Sequence, residues 1–310
     1  MERFRSYSSF LKEYYGEKVY KICLNGGFSC PNRDGRISTK GCSFCSRGGS
    51  GEFSGNPALS ITEQILSGKK QTGRKYHGNS YIAYFQAFTN TYAPVEHLRK
   101  LYMEALAPPE IKALAIATRP DCLSDDILAL LSECSRLKPV FLELGLQTCH
   151  DTTAARFNRG YKTEVFDEAV KKCHRLGLRV CVHLILGLPG EDRSMIRGTI
   201  DHINRLPVAG VKLSMLHILK DTPLADLYGA DPFYVFSLED YVDCVIQCIE
   251  ALRPDIVVER ITGDGPKDLL IAPQWSGNKK KVLNTIRREL DKRNTWQGRN
   301  YHEPGITETL

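Results

Sequence analysis

Residues 19–45 read VYKICLNGGFSCPNRDGRISTKGCSFC and join a short apolar run to a loop that carries three cysteines. The run at residues 19–24 is rich in apolar side chains, which predicts a buried strand. Cys30, Cys42 and Cys45 follow it, the last two in a C-x-x-C spacing. In a parallel βα barrel such a loop lies at the carboxyl ends of the strands, where these barrels build their active sites. The stretch therefore predicts a metal or cluster site at the mouth of a barrel.

Short apolar runs alternate with longer amphipathic stretches along the rest of the chain, which is typical of strand–helix units around a parallel sheet. We therefore predict an α/β fold, namely a partial (βα)6 TIM-like barrel with a C-terminal helical extension. The predicted strands lie at residues 19–24, 81–86, 113–118, 140–145, 180–186 and 211–217, with a weaker seventh at 256–260. The predicted divisions are an N-terminal segment at 1–18, a core barrel at 19–255 that includes the cluster loop at 25–56, and an extension at 256–310.

The bulk composition argues against a membrane-spanning, fibrous or disordered chain. The 310 residues are 42% hydrophobic, which is enough for a substantial core. The longest apolar runs are much shorter than the roughly 20 residues that cross a bilayer. The first residues, Met1 to Tyr7, are polar and charged, so the eleven cysteines are expected to be reduced thiols in the cytoplasm. The composition leaves the oligomeric state open.

The spacing of the three loop cysteines fits two kinds of metal site. An iron–sulfur cube normally binds four thiolates, so three would leave one iron open for a substrate. A zinc knot is the alternative, because C-x-x-C is also a common zinc spacing and Cys23 would supply a fourth ligand. Cys23 lies inside the predicted strand, however, where burial is expected. A redox disulfide within the C-x-x-C pair leaves Cys30 without a role. Spacing by itself favours neither the cube nor zinc.

Five later motifs accompany the cysteine stretch, in the order of the predicted strands: ATRPDCL at 117–123, LELGLQT at 142–148, NRG at 158–160, HLILGLPGE at 183–191 and LHILKDTPL at 216–224. Together they resemble the YtqA/YhcC family of radical SAM proteins, relatives of the catalytic subunit of Elongator. The resemblance covers nearly the whole chain. The spacing here is C-x11-C-x2-C instead of the superfamily's usual C-x3-C-x2-C, and an expanded spacing is typical of this branch.

The resemblance implies a radical SAM enzyme with a radical SAM barrel. Cys30, Cys42 and Cys45 would hold a [4Fe–4S] cluster, and its open iron would bind the amino and carboxylate groups of S-adenosylmethionine (SAM). An electron donor such as flavodoxin or ferredoxin would reduce the cluster, and cleavage of SAM would yield a 5′-deoxyadenosyl radical. The tasks left to the protein would be to bind SAM, aim the radical and exclude water and oxygen.

Residues near the cluster loop and the second strand are expected to contact SAM. Phe44 would flank the adenine or shield the cluster. Gln86, Thr89 and Asn90 follow the second strand, where radical SAM enzymes carry the segment that accepts the methionine ammonium. Gly187 ends the fifth strand and would let the backbone approach the adenine closely.

Further SAM contacts are expected from the fourth and fifth strands. Gln147 and Arg159 resemble elements that bind SAM in coproporphyrinogen dehydrogenase and its relatives. His183 stands where those relatives place an aspartate. Glu143, inside the fourth strand, would reach a ribose hydroxyl, and burial of its carboxylate requires a partner in any case.

Three residues near the later strand ends are candidates for catalysis. His217 follows the sixth strand and either faces the barrel mouth or is a hydrogen-bonded core residue. Glu259 and Arg260 end the seventh strand. They would clamp the substrate or form an ordinary ion pair at the barrel edge.

A basic segment late in the chain predicts the partner. The formal net charge is +6, and cations crowd one predicted helix, namely Lys279, Lys280, Lys281, Arg287 and Arg288. Because the Elongator-like relatives act on the wobble uridine of tRNA, the resemblance implies that this helix follows tRNA phosphates while a base enters the barrel. The alternatives are a solvated helix face, an enzyme for a small or porphyrin-like molecule, and a zinc-bearing RNA-binding protein without catalysis.

Overall fold

A computed structural model describes residues 2–49, 51–73, 76–263 and 265–303. Its strands are β1 Tyr20–Leu24, β2 Tyr81–Phe85, β3 Ile111–Thr118, β4 Val140–Gln147, β5 Arg179–Leu186, β6 Gly210–Met215, β7 Ile218–Leu219, β8 Val257–Arg260 and β9 Leu270–Ala272. Within these residues, seven parallel strands form one sheet in the order β1-β2-β3-β4-β5-β6-β8, which curls into a half-barrel. A separate antiparallel pair joins β7 to β9. The predicted α/β partial barrel is confirmed.

Helices precede, connect and follow the parallel strands, and most of them cover the outer face of the sheet. They are α1 Tyr7–Tyr15, α2 Ile61–Thr72, α3 Val95–Leu106, α4 Asp125–Leu137, α5 Asp151–Arg156, α6 Thr163–Arg175, α7 Arg193–Asn204, α8 Pro223–Ala230, α9 Leu238–Ala251 and α10 Lys279–Lys292, with 3₁₀ turns at Pro120–Cys122 and Gln274–Gly277. No helix in the described part of the chain is long and apolar enough to cross a membrane.

The sheet has one strand more than the six-stranded prediction. The weak apolar run predicted at 256–260 forms β8, which pairs in parallel with β6 and ends the sheet. The predicted extension therefore begins inside the sheet, and its first residues are a part of the barrel. The sequence signal for β8 is weak because the strand is short and its partner β6 lies more than 40 residues earlier. The register of such a pair depends on tertiary contacts that the hydrophobic pattern of β8 alone does not show.

The two faces of the sheet build two different cores. Side chains such as Phe85, Leu114 and Leu142 point outward and pack against the surrounding helices. Alternate residues on the same strands, including Tyr84 and Ala115, point inward and share a smaller cluster with Phe10 and Leu11 of α1. Helix α1 thus closes one end of the half-barrel, and the predicted N-terminal segment packs into the barrel core.

The C-terminal helix α10 is amphipathic. It begins after Asn278, whose side chain accepts the backbone N–H of Lys281 at 3.1 Å and so caps the helix. Val282, Ile286 and Leu290 are buried in the outer core, where α10 packs on α9. The opposite face of α10 is left to solvent.

Candidate active site

A cavity of about 640 Å³ opens at the carboxyl ends of the strands. This size is in the range of pockets that hold small molecules and cofactors. Most of the residues predicted for the site line this one cavity, namely Cys30, Cys42, Phe44, Cys45, Gln86, Thr89, Glu143, Gln147, His183, His217 and Arg260. Four others, Asn90, Arg159, Gly187 and Glu259, do not line it. The fold therefore gathers residues from every part of the chain at one end of the barrel.

The three loop cysteines share this cavity because the loop after β1 folds back on itself. The backbone N–H of Arg33 donates to the Cys30 carbonyl at 2.8 Å, and that of Cys45 donates to the Cys42 carbonyl at 2.9 Å. The Arg33 guanidinium donates to the Cys45 carbonyl at 2.9 Å. The Asn32 amide donates to Cys42 Sγ at 3.4 Å. Burial, together with the neighbouring Cys45 thiol, raises the pKa of Cys42 to about 12.

The chemistry of this donor set fits an iron–sulfur cube. In a cube each thiolate binds a different iron atom, so the three sulfur atoms lie farther apart than ligands of a single metal ion. Among the described ranges, no three His, Cys, Asp or Glu side chains lie close enough together to hold one metal ion. Burial disfavours the negatively charged thiolate of Cys42, and bound iron would compensate that charge. Cys23, the fourth ligand of the zinc alternative, lies on β1 opposite Tyr84 and not in the loop.

Gln147 presents a free acceptor to the cavity. It ends β4 with a left-handed φ of 61°, a conformation that non-glycine residues seldom adopt. Gly145 leaves room for the side chain, because a methyl group there would overlap the Gln147 amide. Within the described residues the buried Oε1 atom of Gln147 has no hydrogen-bond partner. A buried acceptor of this kind normally has a partner, so a ligand donor is expected here.

Arg159 does not face the cavity, contrary to the sequence prediction. Its side chain is 2% exposed and donates to the carbonyls of Leu146 and Thr148, both at 2.8 Å, and to Asp151 at 2.7 Å. These bonds use the guanidinium to join the end of β4 to the following loop. Arg159 is therefore not free to bind a carboxylate of SAM or of a substrate.

Arg119 is a cavity residue that was not predicted from the sequence, and its guanidinium is bonded to Asp121 and to the Arg159 carbonyl. It lines the cavity directly after β3, and its guanidinium lies 4.8 Å from the ring centre of Tyr161 and pairs with Asp121 at 2.7 Å. Tyr161 also lines the cavity and donates to the Gly145 carbonyl at 2.5 Å. A signal for Arg119 was present, because it follows a predicted strand inside the quoted ATRPDCL motif.

Three further predicted residues have structural roles outside the cavity. The Asn90 amide donates to the Ala117 carbonyl at 2.7 Å and fixes the loop after β2 against β3. Gly187 has a φ of 84°, and the Phe236 ring covers its Cα, which explains the glycine without an adenine. Glu259 points inward and accepts from Lys21 at 3.3 Å. The ion-pair alternative for Glu259 is therefore the one observed.

The floor of the cavity is a charged cluster centred on Glu143. Its Oε1 accepts from Lys21 Nζ at 2.7 Å. Its Oε2 accepts from Tyr84 at 2.5 Å, from His183 Nε2 at 2.9 Å and from Lys212. These donors come from four different strands, and the Glu143 side chain is only 1% exposed. The ribose contact expected for Glu143 is therefore not supported, because four protein donors hold the carboxylate and bury it almost completely.

The charges of this cluster determine its protonation states. Burial would raise the pKa of Glu143, but Lys21 and Lys212 outweigh burial and hold it well below its usual range. Burial and the neighbouring cations lower the pKa of Lys212. Burial and Lys212 also lower the pKa of His183. The carboxylate is therefore ionised at neutral pH, and the imidazole is neutral.

Other predicted residues complete the mouth. His217 lines the cavity, which agrees with the expectation that it faces the barrel mouth. Gly263 and Gly265 pack so closely on its ring that side chains at these two positions would overlap it. Phe44 also lines the cavity, with its ring centre 6.5 Å from that of Phe157. Phe53, which was not predicted, lines the rim and is 61% exposed.

The cations predicted to bind nucleic acid lie on the exposed face of α10. Lys279, Lys280, Lys281, Arg287 and Arg288 are all exposed, while the apolar face is buried. Leu219 of β7 lines the cavity, β7 pairs with β9, and the 3₁₀ turn Gln274–Gly277 joins β9 to α10. The basic start of α10 is therefore linked to the cavity wall indirectly, through the 3₁₀ turn, β9 and its partner strand β7.

Comparison with known proteins identifies the family. A family model described as the radical SAM superfamily matches residues 33–203, and the model of the Radical_SAM C-terminal domain matches residues 208–292. The chain belongs to the radical SAM superfamily. Radical SAM enzymes use a [4Fe–4S] cluster and SAM, and this enzyme uses both. The zinc-protein alternative is thereby set aside.

The radical SAM chain is also similar to individual proteins. It is 44% identical to the uncharacterized protein YtqA of Bacillus subtilis over 96% of this chain and 92% of that protein. It is 38% identical to the protein YhcC of Escherichia coli over 87% and 86%. A tRNA uridine(34) acetyltransferase of Methanocaldococcus infernus is 27% identical over 51% of this chain and 30% of its own. The YtqA/YhcC resemblance is confirmed.

A solved structure shares the fold of the radical SAM chain. The Elp3 protein of Methanocaldococcus infernus, in a form that lacks residues 1–46, superposes with a TM-score of 0.70 at 15% identity. The match covers 90% of this chain and 64% of that one. It supports the partial barrel and the C-terminal elements as one arrangement.

Proposed function

We propose that this radical SAM enzyme modifies tRNA, at the C5 side chain of the wobble uridine. The observation that carries the proposal is the exposed cationic face of α10, a helix that follows β9, the partner of the cavity-lining strand β7. A basic helix follows phosphates in any sequence, and a deep cavity accepts a base that has left its stack. The 27% identical tRNA uridine(34) acetyltransferase supports the choice of substrate.

In this proposal Cys30, Cys42 and Cys45 hold the cluster, and the open iron binds SAM. Gln147 accepts a hydrogen bond from the bound SAM through the Oε1 atom that has no protein partner. Arg119, which lines the cavity while its guanidinium stays bonded to Asp121 and to the Arg159 carbonyl, adds positive charge beside the cluster loop and replaces Arg159 as the cationic residue of the site. Flavodoxin or ferredoxin serves as the electron donor.

The role of Gln147 is tested by its affinity for SAM. We expect Gln147→Ala to weaken SAM binding about tenfold, because one hydrogen bond to a charged ligand is worth about 1.5 kcal/mol. Equilibrium dialysis with the cluster-loaded protein measures the Kd. Gln247→Ala is the matched control, because the Gln247 side chain is exposed on α9, outside the cavity lining, and donates to Asp243 at 2.8 Å. An unchanged Kd for Gln147→Ala would remove this residue from the SAM site.

The role of α10 is tested by the salt dependence of tRNA binding. We expect the triple variant Lys280→Ala, Lys281→Ala, Arg287→Ala to lower the slope of log K against log salt by as much as about 3, because each lost phosphate contact removes roughly one released counterion. Filter binding between low and moderate salt measures the slope. The matched control removes three cations from α6, with Lys171, Lys172 and Arg175 changed to alanine. Equal slopes in the two variants would argue against the α10 interface.

The tRNA proposal as a whole is tested by nucleoside analysis. Total tRNA from cells with and without this gene is digested and compared by mass spectrometry. We expect a precursor of a C5-modified wobble uridine to accumulate in the deleted strain, and purified enzyme with SAM and a reductant to convert it. Identical nucleoside profiles in the two strains would contradict the proposal.

A further inference from the structure

We propose that His183 and Glu143 form a proton-transfer pair in the floor of the cavity, in which Nδ1 of His183 accepts a proton from an N–H or O–H group of the substrate. Both residues were predicted to contact SAM, but the imidazole faces the cavity while the carboxylate is buried behind it. The inference rests on the proposed function for the identity of its substrate. Its geometry rests on the described residues alone.

The two side chains differ in access to the cavity. The His183 side chain is 32% exposed and Glu143 is 1% exposed, although Nε2 and Oε2 lie 2.9 Å apart. Gly145, two residues beyond Glu143 on β4, pairs with His183 on β5. Residues at this spacing point to the same face of the sheet, so the imidazole and the carboxylate both point inward. A substrate in the cavity therefore meets the imidazole, and the carboxylate stands behind it.

The partners of Glu143 determine which ring nitrogen of His183 carries hydrogen. Glu143 accepts from Lys21, Tyr84 and Lys212 in addition to His183, so its carboxylate is ionised and has no proton to donate. The hydrogen in the His183–Glu143 bond must then lie on Nε2. In a neutral imidazole this leaves a lone pair on Nδ1. Among the described residues Nδ1 has no hydrogen-bond partner.

The surrounding charges keep the imidazole in its basic form. The groups that act on it are Glu143 from β4, Lys212 from β6 and Arg260 from β8, with Lys21 of β1 and Tyr84 of β2 bonded to the same carboxylate. Burial and the two cations disfavour an imidazolium, whereas Glu143 favours it. The balance lowers the pKa of His183, so the residue accepts protons across the neutral range.

The transfer moves one proton and no electron. The N–H or O–H bond of the substrate breaks, its electron pair stays on nitrogen or oxygen, and an Nδ1–H bond forms. Glu143 stabilises the resulting imidazolium through the existing 2.9 Å bond. The proton then leaves to water through the open mouth. A fitting substrate carries an amine or a hydroxyl on the carbon that loses hydrogen, because such a group becomes more acidic beside a carbon radical.

The test compares two histidines that are each bonded to a carboxylate. His183→Gln keeps a donor for Glu143 but does not accept a proton at neutral pH. The control is His202→Gln, because His202 on α7 bonds to Asp167 at 2.8 Å and does not line the cavity. The cluster-loaded enzymes are incubated with SAM, dithionite and total tRNA from cells that lack the gene. We expect His183→Gln to lower nucleoside conversion about 100-fold and to leave the KM for SAM within about threefold.

The pH profile gives the second readout. The conversion rate of the wild-type enzyme should fall as the pH drops below the ordinary pKa of histidine, because His183 then becomes protonated. The residual activity of His183→Gln should not show this acid-side decrease. A variant that converts tRNA as fast as the wild type would overturn the proposal. So would a variant whose only defect is a raised KM for SAM, because His183 would then be a cofactor contact.

A third readout separates this inference from the tRNA proposal. Selective ¹⁵N labelling of histidine in the oxidised, cluster-loaded enzyme reports the tautomer and the pKa of His183, whose signal is the one lost in His183→Gln. We expect hydrogen on Nε2 and a pKa below the ordinary value. If wild-type enzyme does not convert tRNA, the tRNA proposal fails while this measurement still tests the pair. Hydrogen on Nδ1 at neutral pH would refute the proton-accepting role.

Discussion

Replacement of Cys30, Cys42 or Cys45 by alanine is expected to lower the formation of 5′-deoxyadenosine by more than about 100-fold, since even residues behind the ligands of a metal site cost 10–100-fold. Each thiol lines the same cavity, and a cube that has lost one of three ligands is not held there. The measurement is anaerobic SAM cleavage with dithionite, together with iron and sulfide per chain.

The control for the cysteine series is Cys149→Ala. Cys149 is a half-buried free thiol whose neighbours are Thr199 and the start of α5, and it does not line the cavity. We expect this variant to retain iron, sulfide and cleavage. Full cleavage by any one of the three loop variants would show that the ligand assignment is wrong.

Glu143→Gln is expected to destabilise the fold by about 3–5 kcal/mol, the usual effect of removing one partner from a buried ion pair. The carboxylate balances Lys21 and Lys212, both largely buried inside the half-barrel. An amide accepts a hydrogen bond but does not carry the negative charge, so both ammonium groups lose their compensation. Urea unfolding followed by circular dichroism measures the change in the free energy of unfolding.

Two control substitutions help to interpret the effect of Glu143→Gln. Tyr84→Phe removes one hydrogen bond to Glu143 and leaves the charge, so we expect a loss of about 1 kcal/mol. Glu168→Gln, at an exposed pair with Lys171, should produce no measurable change. A Glu143→Gln protein as stable as the wild type would mean that the ammonium groups are neutral or hydrated in the folded state.

The same carboxylate sets a dependence of stability on pH. The pKa of Glu143 is lower in the folded than in the unfolded chain. Its contribution to the free energy of unfolding is therefore fully present above the pKa of the unfolded chain and is lost as the pH falls through the pKa of the folded chain. We therefore expect the difference in stability between wild type and Glu143→Gln to be large at neutral pH. It should shrink only in strong acid.

The sequence predicted the fold and the cluster loop because their signals are local. Alternating apolar runs and amphipathic stretches placed six strands, and the cysteine spacing placed Cys30, Cys42 and Cys45 in one loop. Gln147, which the resemblance assigned to SAM, also lines the cavity. The weak strand β8 was less clear, because its membership in the sheet depends on pairing with β6.

The errors concern long side chains whose direction depends on distant partners. Arg119 directly follows β3 and Arg159 lies beyond α5, and only the folded chain shows that Arg119 lines the cavity while Arg159 is turned toward backbone carbonyls. Glu143 was expected to await a ligand. Its donors Tyr84, Lys212 and Lys21 are 59, 69 and 122 residues away in the chain, a distance at which no spacing rule operates.

The contact between Lys21 and Glu259 joins the two edge strands of the sheet. β1 and β8 are the outermost strands, and in the described residues they face each other through this ion pair and not through a backbone ladder. The Glu259 side chain is only 8% exposed, so this contact is shielded from water and salt. The N-terminal segment adds a second tie, because the backbone N–H of Val258 donates to the Arg5 carbonyl at 2.8 Å. The open side of the half-barrel is therefore closed by a buried charge pair and by the segment before α1, without a direct ladder between the edge strands.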